Sequence, residues 1–293
     1  MRSPSLAERP LATPAVVWRP VRRHLPEYLM EAALLGLFMI SACGFTVLLE
    51  HPASPIHGAV PDPFLRRLLV GLAMGATAIL LIYSPWGKQS GAHMNPAITL
   101  TFTRLGRVAP QDAAAYMVAQ FAGGVGGVLI ARLVLGGLLA HPDVGYAATL
   151  PGRWGVPVAF VAEAGISGLL VLIILSVSNQ PRWAAYTGLC AGVLVACFIT
   201  FEAPLSGMSM NPARTFGSAF FSRNWTAVWI YFTAPPLGML AAAQLYLARR
   251  GRQAVACAKL HHQNSKRCIF CEYQAARAVP PLPQGTNLYP STL

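Results

Sequence analysis

The tripeptide Asn-Pro-Ala occurs twice, as Asn95-Pro96-Ala97 and Asn211-Pro212-Ala213, each time opening a short helical pattern inside an otherwise apolar sequence. Asparagine is a favoured helix N-cap, and proline suits the first helical position because its missing N–H would be unpaired there anyway. Each copy therefore starts a helix. Behind the first copy, Ile98-Thr-Leu-Thr-Phe-Thr-Arg-Leu105 leaves only about ten helical residues before Ala109-Pro110, roughly 15 Å of helix. That is half of a ~30 Å hydrocarbon core. A half-helix leaves backbone N–H groups bare in lipid, so its end must be buried in protein or line a watery cavity. Two of them can meet at the midplane, as in a pore.

The rest of the chain is what such a pore requires. Hydrophobic residues make up 55% and charged residues 11%, far from the roughly 25% charged of a soluble domain. Six spans are predicted: Tyr28 to Leu49, Leu65 to Ser84, Asp112 to Leu139, Val156 to Ser178, Trp183 to Ala203 and Trp225 to Ala248. With both termini on one side, 16 of the 22 lysines and arginines fall there; Arg66, Arg67, Arg132, Arg153, Arg214 and Arg223 remain on the other. The positive-inside rule then predicts cytoplasmic termini in a cell membrane, plasma or inner. The net charge of +12 is read as topology and attraction to anionic lipid. It is not read as nucleic-acid binding, because the basic residues flank spans instead of forming one stripe. The first 26 residues are Pro- and Arg-rich without an apolar run, and no cleavable signal peptide is expected.

The two halves repeat beyond the tripeptide. Glu31 in Met30-Glu-Ala-Ala-Leu-Leu-Gly36 is matched by Glu163 in Ala162-Glu-Ala-Gly-Ile-Ser-Gly168. Tyr116-Met-Val-Ala-Gln120 follows Asn95 by 21 residues, and Tyr231-Phe-Thr-Ala-Pro235 follows Asn211 by 20. Each repeat carries three spans, an odd number, so the second is inverted relative to the first. Inverted repeats with broken helices at a central site are a transporter and channel architecture. The domain reading is an N-terminal segment over 1–26, a channel domain over 27–250 with repeats at 27–140 and 156–250, and a tail over 251–293.

Ser90-Gly-Ala-His-Met-Asn-Pro-Ala-Ile-Thr99 and Ser206-Gly-Met-Ser-Met-Asn-Pro-Ala-Arg-Thr-Phe-Gly217 resemble the two signature loops of the aquaporin and glycerol-channel (major intrinsic protein) family. The likeness extends from about Glu27 to Arg250. It implies an all-α membrane protein of six tilted helices and two half-helices, with one passive pore per subunit and a homotetramer. Asn95 and Asn211 would donate hydrogen bonds to a passing molecule, and the positive ends of both half-helices oppose protons and cations. Arg214, costly in a membrane, would donate to solutes and exclude cations at the outer constriction. Glu31 and Glu163 would hold the signature loops. A proton relay is the other role open to them. His93 belongs either to loop packing or to a pH gate.

Counting from the tripeptides carries three further constriction positions of the family onto Gly75, Ile199 and Met208, which with Arg214 would make the selectivity filter. Water-selective members resemble one another in a bulky aromatic at the first and a histidine at the second. This chain has neither, so a wider, greasier filter is expected. Gly75 also ends Gly71-x-x-x-Gly75, so close helix packing stays open for it; Ile199 and Met208 could equally be core or lipid-facing. Thr215, Ala219 and Tyr231-Phe232 instead resemble the water-channel pattern. The second loop resembles the nodulin-like and related bacterial branch, whose members pass water, glycerol or undissociated metalloid acids. Gly123-Gly124 and Gly126-Gly127 read as small-residue helix contacts. Glu202 is either a mouth residue paired with a basic side chain or a solvated one.

Beyond Arg250 the hydropathy stops, and Cys257, His261, His262, Cys268 and Cys271 crowd together. Cys257, His261, Cys268 and Cys271 could hold a zinc ion; a redox pair and an unliganded basic tail are the alternatives, and no other cofactor is expected. Val279 to Gly285 is Pro-rich and expected to be disordered. Cys43, Cys190 and Cys197 are read as buried small apolar residues in spans. With no catalytic grouping in sight, the chain is read as a non-enzyme. The functions held apart are a passive channel for water or small neutral solutes, a coupled secondary transporter, and a membrane sensor or scaffold with a metal-binding tail.

Overall fold

Prolines start three of the six long helices and both half-helices. In the computed structural model, which describes residues 22–278, α1 spans Leu25–Glu50, α2 Pro63–Tyr83, α3 Pro85–Ser90, α4 Pro96–Arg104, α5 Pro110–Leu135, α6 Gly155–Ser178, α7 Thr187–Phe201, α8 Pro212–Ser222, α9 Trp229–Arg250 and α10 Ile269–Ala278. Pro63 follows Asp62, whose side chain accepts from the Leu65 N–H, and α4 and α8 begin at Pro96 and Pro212 behind asparagine caps. Most of the Pro/Arg-rich N-terminal segment and the Pro-rich stretch from Val279 lie outside the described residues.

Six long helices and two half-helices form the inverted repeat. α1 packs on α5 and α6 on α9, while α2 and α7, equivalent members of the two halves, pack on each other. The half-helices cross over: α4 of the first half packs on α9, and α8 of the second half packs on α5. Five of the long helices are apolar and long enough to cross a membrane. The sixth, α9, is 22 residues long but is diluted by Pro235, Pro236 and its terminal Arg249 and Arg250. Leu80, Val118, Leu133, Val134 and Val161 are each at least 70% exposed on the outer faces, where lipid is their natural solvent. This is an all-α integral membrane protein.

Several boundaries differ from the sequence expectation. The third span stops at Leu135, because Gly136 turns left-handed at φ 57°. The fifth shrinks to Thr187–Phe201 behind a 3₁₀ turn at Ala184–Tyr186. Ser84 ends α2 and at once caps α3, its hydroxyl accepting from the Gly87 N–H at 3.0 Å. That unforeseen helix fills the connection between α2 and the first signature loop.

Small residues set the closest approaches. A Cβ on Gly124 would lie 2.6 Å from the Ala213 carbonyl oxygen, and one on Gly217 would lie 2.6 Å from that of Gly124, so α5 and α8 touch backbone to backbone. Gly123 and Gly127 approach α1 at Ala32 and Gly36. Gly126 departs from the expected contact: among the described residues, nothing beyond its own helix backbone lies within 4 Å of its Cβ position.

Candidate functional site

The two signature loops have the same backbone. Gly91, Ala92 and Met94 take φ of 101°, 55° and 49°, and Gly207, Met208 and Met210 take 80°, 50° and 55°. Left-handed non-glycine residues cost about 1–2 kcal/mol each and persist only where their surroundings dictate them. Here a buried carboxylate dictates each loop. Glu31 accepts from Ser90 Oγ (2.8 Å), the His93 N–H (3.0 Å), the Met94 N–H (2.6 Å) and Gln120 Nε2 (2.8 Å). Glu163 accepts from Ser206 Oγ (2.8 Å), the Ser209 N–H (2.6 Å) and the Met210 N–H (2.8 Å). Tyr116 and Tyr231 complete the match, donating to the Ser90 and Ser206 carbonyls at 2.7 and 2.5 Å.

The loops then present their asparagines to each other. Asn95 Oδ1 accepts from the Ala97 N–H at 2.8 Å, and Asn211 Oδ1 from the Ala213 N–H at 3.0 Å. Asn95 Nδ2 donates to the Met210 carbonyl and Asn211 Nδ2 to the Met94 carbonyl, both at 2.7 Å. These crossed struts use one amide N–H of each asparagine. A primary amide has two, so the second remains for the lumen.

Both asparagines line a cavity of about 340 Å³ together with Ile199, Met208, Arg214 and His93. Arg214 Nη1 is buried without an acceptor among the described residues. Met74, Ala78, Ile98, Leu170, Ile174 and Val195 make the wall mostly apolar. Glu31 and Glu163 lie behind the loops and are not on this wall.

Gly75, expected in the filter, is not on the wall either. Its Cβ position is 2.6 Å from the Gly192 carbonyl oxygen and 2.9 Å from the Ala196 Cβ, so it serves the packing of α2 against α7. Val70 stands on the wall instead, one turn from Arg67 and Met74. Its neighbour Gly71 faces Ala196 and Thr200, and Arg67 Nε donates to the Thr200 carbonyl at 3.3 Å, which sets Val70 level with Ile199. Gly75 thus takes the close-packing role that Gly71-x-x-x-Gly75 left open for it. Gly75→Phe is therefore expected to overpack the α2–α7 seam, a fault of about 1–3 kcal/mol or more. Monodisperse protein in size-exclusion chromatography should fall to a small fraction of wild type; normal yield with selectively reduced solute flux would return Gly75 to the lumen.

Other candidates have definite surroundings. His93 Nε2 is 2.8 Å from the Ala258 carbonyl and Nδ1 3.0 Å from Thr99 Oγ1, with the ring stacked between Phe102 and Phe270. Glu202, whose Oε1 lies 2.5 Å from Ser206 Oγ, is buried and tied to the second loop, with no basic partner among the described residues. Cys43 is buried as expected, whereas Cys190 is half-buried and Cys197 exposed on the outer face. Ser90, Ser206, Thr99 and Gln120 were not singled out by sequence; the repeated Ser-Gly-x-x-Met-Asn frame was the available signal for the serines.

In the tail, Cys257, His262, Cys268 and Cys271 bring their ligand atoms within 4.8 Å of one another. His262 replaces the expected His261, whose ring turns away to pack edge-on against Tyr83 at 5.1 Å. The thiols share protons: its hydrogen bond to Cys268 pushes Cys257 up, and the same bond pushes Cys268 down to about 5.

A six-helix bundle whose half-helices meet cap to cap beside a narrow cavity defines a membrane channel fold. The profile described as major intrinsic protein matches residues 20–246, and the chain belongs to that family. The rice (Oryza sativa subsp. japonica) protein "Aquaporin NIP1-4" is 36% identical over 60% of this chain and 63% of its own length, so the match spans a little under two thirds of that relative. "Aquaporin NIP1-3" from the same plant is 34% identical over 73% of this chain and 71% of its own length. "Aquaporin Z" of Rhodopseudomonas palustris is 26% identical over 75% and 91%. The X-ray structure of the aquaglyceroporin from Plasmodium falciparum superposes with a TM-score of 0.63 at 22% identity, covering 76% of this chain and 95% of that one. These matches fit the nodulin-like branch that the signature loops resemble.

Proposed function

We propose that the chain is a passive pore for water and small neutral solutes of the glycerol, urea or undissociated metalloid-acid class, working without chemistry and without ion flux. The observation that carries this is the cavity wall: two asparagine amides with an N–H to spare and Arg214 Nη1 without an acceptor among the described residues, set in a mostly apolar lumen. Such a lumen offers a neutral molecule hydrogen bonds in single file. Arg214 and the two half-helix N-termini raise the energy of a cation or proton there. The names of the relatives support the same class. Basic-residue placement supports cytoplasmic termini in a plasma or inner membrane, and the family supports four copies together.

A coupled transporter would need a carboxylate that changes charge within the pathway. Glu31 and Glu163 are saturated by the loops they hold, off the wall, while of the carboxylates on the cavity lining Glu50 is paired with Arg66 at 3.0 Å and Asp143 is exposed beside His141. Stopped-flow swelling of vesicles in water, glycerol, urea and boric acid gradients, with a pH dye inside, tests the proposal. Swelling faster than in protein-free vesicles, with no solute-driven acidification, is the expected result. Acidification that tracks solute uptake would replace the pore with a coupled carrier.

A further inference from the structure

The tail does not hang free of the channel. Ala258, Lys259 and Leu260 are 0%, 2% and 3% exposed. The Leu260 N–H donates to the Gly91 carbonyl at 3.1 Å, Ala258 offers its carbonyl to His93, and Leu260 itself lines the cavity. Phe270 stacks on His93 with centroids 5.4 Å apart and rings 3° from parallel, and meets Tyr116 at 5.8 Å. A segment between two potential metal ligands thus lies across the termini-side mouth of the cavity.

The four ligand atoms have the shape of a metal site. Zinc bound to sulfur at about 2.3 Å in a tetrahedron requires ligand atoms about 3.8 Å apart, slightly less to a nitrogen. Cys257 Sγ lies 3.5 Å from Cys268 Sγ and 3.8 Å from Cys271 Sγ, and Cys271 Sγ lies 3.9 Å from His262 Nε2. These three of the six edges are close to tetrahedral and all six lie within 4.8 Å, whereas a disulfide would need about 2.0 Å. Cys268-x-x-Cys271 at the start of α10 holds two ligands on one turn, and the Lys259 N–H donates to Cys257 Sγ at 3.4 Å, orienting that sulfur. Lys259 Nζ closes the same loop on the Lys266 and Arg267 carbonyls at 3.3 and 2.7 Å. Three thiolates and one imidazole, with no open position, are the donor set of a structural zinc site.

We propose that Cys257, His262, Cys268 and Cys271 bind one Zn²⁺ ion, and that the ion fixes Ala258 to Leu260 in the inner mouth of the pore. Residues 251–268 have almost no regular structure, so the free energy of metal binding is what orders them. The second half of the proposal rests on the pore function above; the first half does not.

The test uses the full chain purified in detergent under reducing conditions, with zinc measured by elemental analysis. About one zinc per chain is expected for wild type and for His261→Ala, and less than about a fifth of that for Cys268→Ser/Cys271→Ser and for His262→Ala. Wild type that neither retains zinc nor takes it up one-to-one on titration overturns the site. So does loss of zinc on His261→Ala with retention on His262→Ala, or four titratable thiols in place of the six cysteines under denaturing conditions. Hydrogen exchange over 257–262 reads the plug: protection lost on chelation supports it, and protection unchanged by chelation overturns it. In vesicles, the double serine variant is expected to swell at least about threefold faster than wild type. If wild type, that variant and a chain lacking 251–293 all fail to conduct, the pore function fails, and zinc content and exchange still judge the site.

Discussion

Val70→Trp is expected to cut glycerol and urea flux at least about tenfold, the equivalent of ~1.4 kcal/mol on the barrier, while water flux falls much less. Val70 stands on the cavity wall level with Ile199, and Met208 and Arg214 line the same cavity. An indole there narrows the ring on its apolar side and leaves the Arg214 guanidinium to donate to water. Neither neighbour can yield much, because α2 is held to α7 by backbone approaches at Gly71 and Gly75. Swelling rates in paired water and solute gradients read the ratio directly. Unchanged solute flux would remove Val70 from the constriction, and an equal fall for water and glycerol would mean general collapse, not selectivity.

The same position shows where sequence reasoning reaches its limit. The half-helices, the inverted repeat and the loop carboxylates were legible because each is a polar or helix-breaking residue that apolar surroundings tolerate only for a reason. Asn95, Asn211, Glu31 and Glu163 stand out against a 55% hydrophobic background. Val70 has no such contrast, being one apolar residue among many on α2. A count from Asn95 fixes a distance along the chain but not which face of α2 meets the lumen, and that face follows only from the packing of Gly71 and Gly75 on α7. His261 and His262 pose the same difficulty at shorter range. Adjacent residues on an irregular strand point in different directions, and only the packing of His261 on Tyr83 decides which imidazole meets the thiols.

Glu31→Gln is expected to leave a folded protein that conducts at least about tenfold less, and Glu31→Ala to yield almost no folded protein. Four donors converge on the Glu31 carboxylate, two on each oxygen. A glutamine has one oxygen and an amide that only donates. Turned so that its oxygen serves the Met94 N–H and Gln120, its amide faces Ser90 Oγ, which can accept, and the His93 N–H, which cannot. One buried N–H left unpaired costs about 1–3 kcal/mol, and the charge-assisted character of the remaining bonds is lost as well. That is comparable to the strain stored at Ala92 and Met94, whose φ of 55° and 49° relax once the loop is released. Relaxation moves the Met94 carbonyl, the acceptor for Asn211 Nδ2, so the damage crosses to the other half of the pore. Alanine leaves all four donors unpaired in a site that is 0% exposed. Thermal unfolding in detergent and vesicle swelling together separate loop support from a proton relay. A relay predicts that Glu31→Gln keeps its stability and its water flux and loses only pH dependence, and that result would overturn the structural role of the carboxylate.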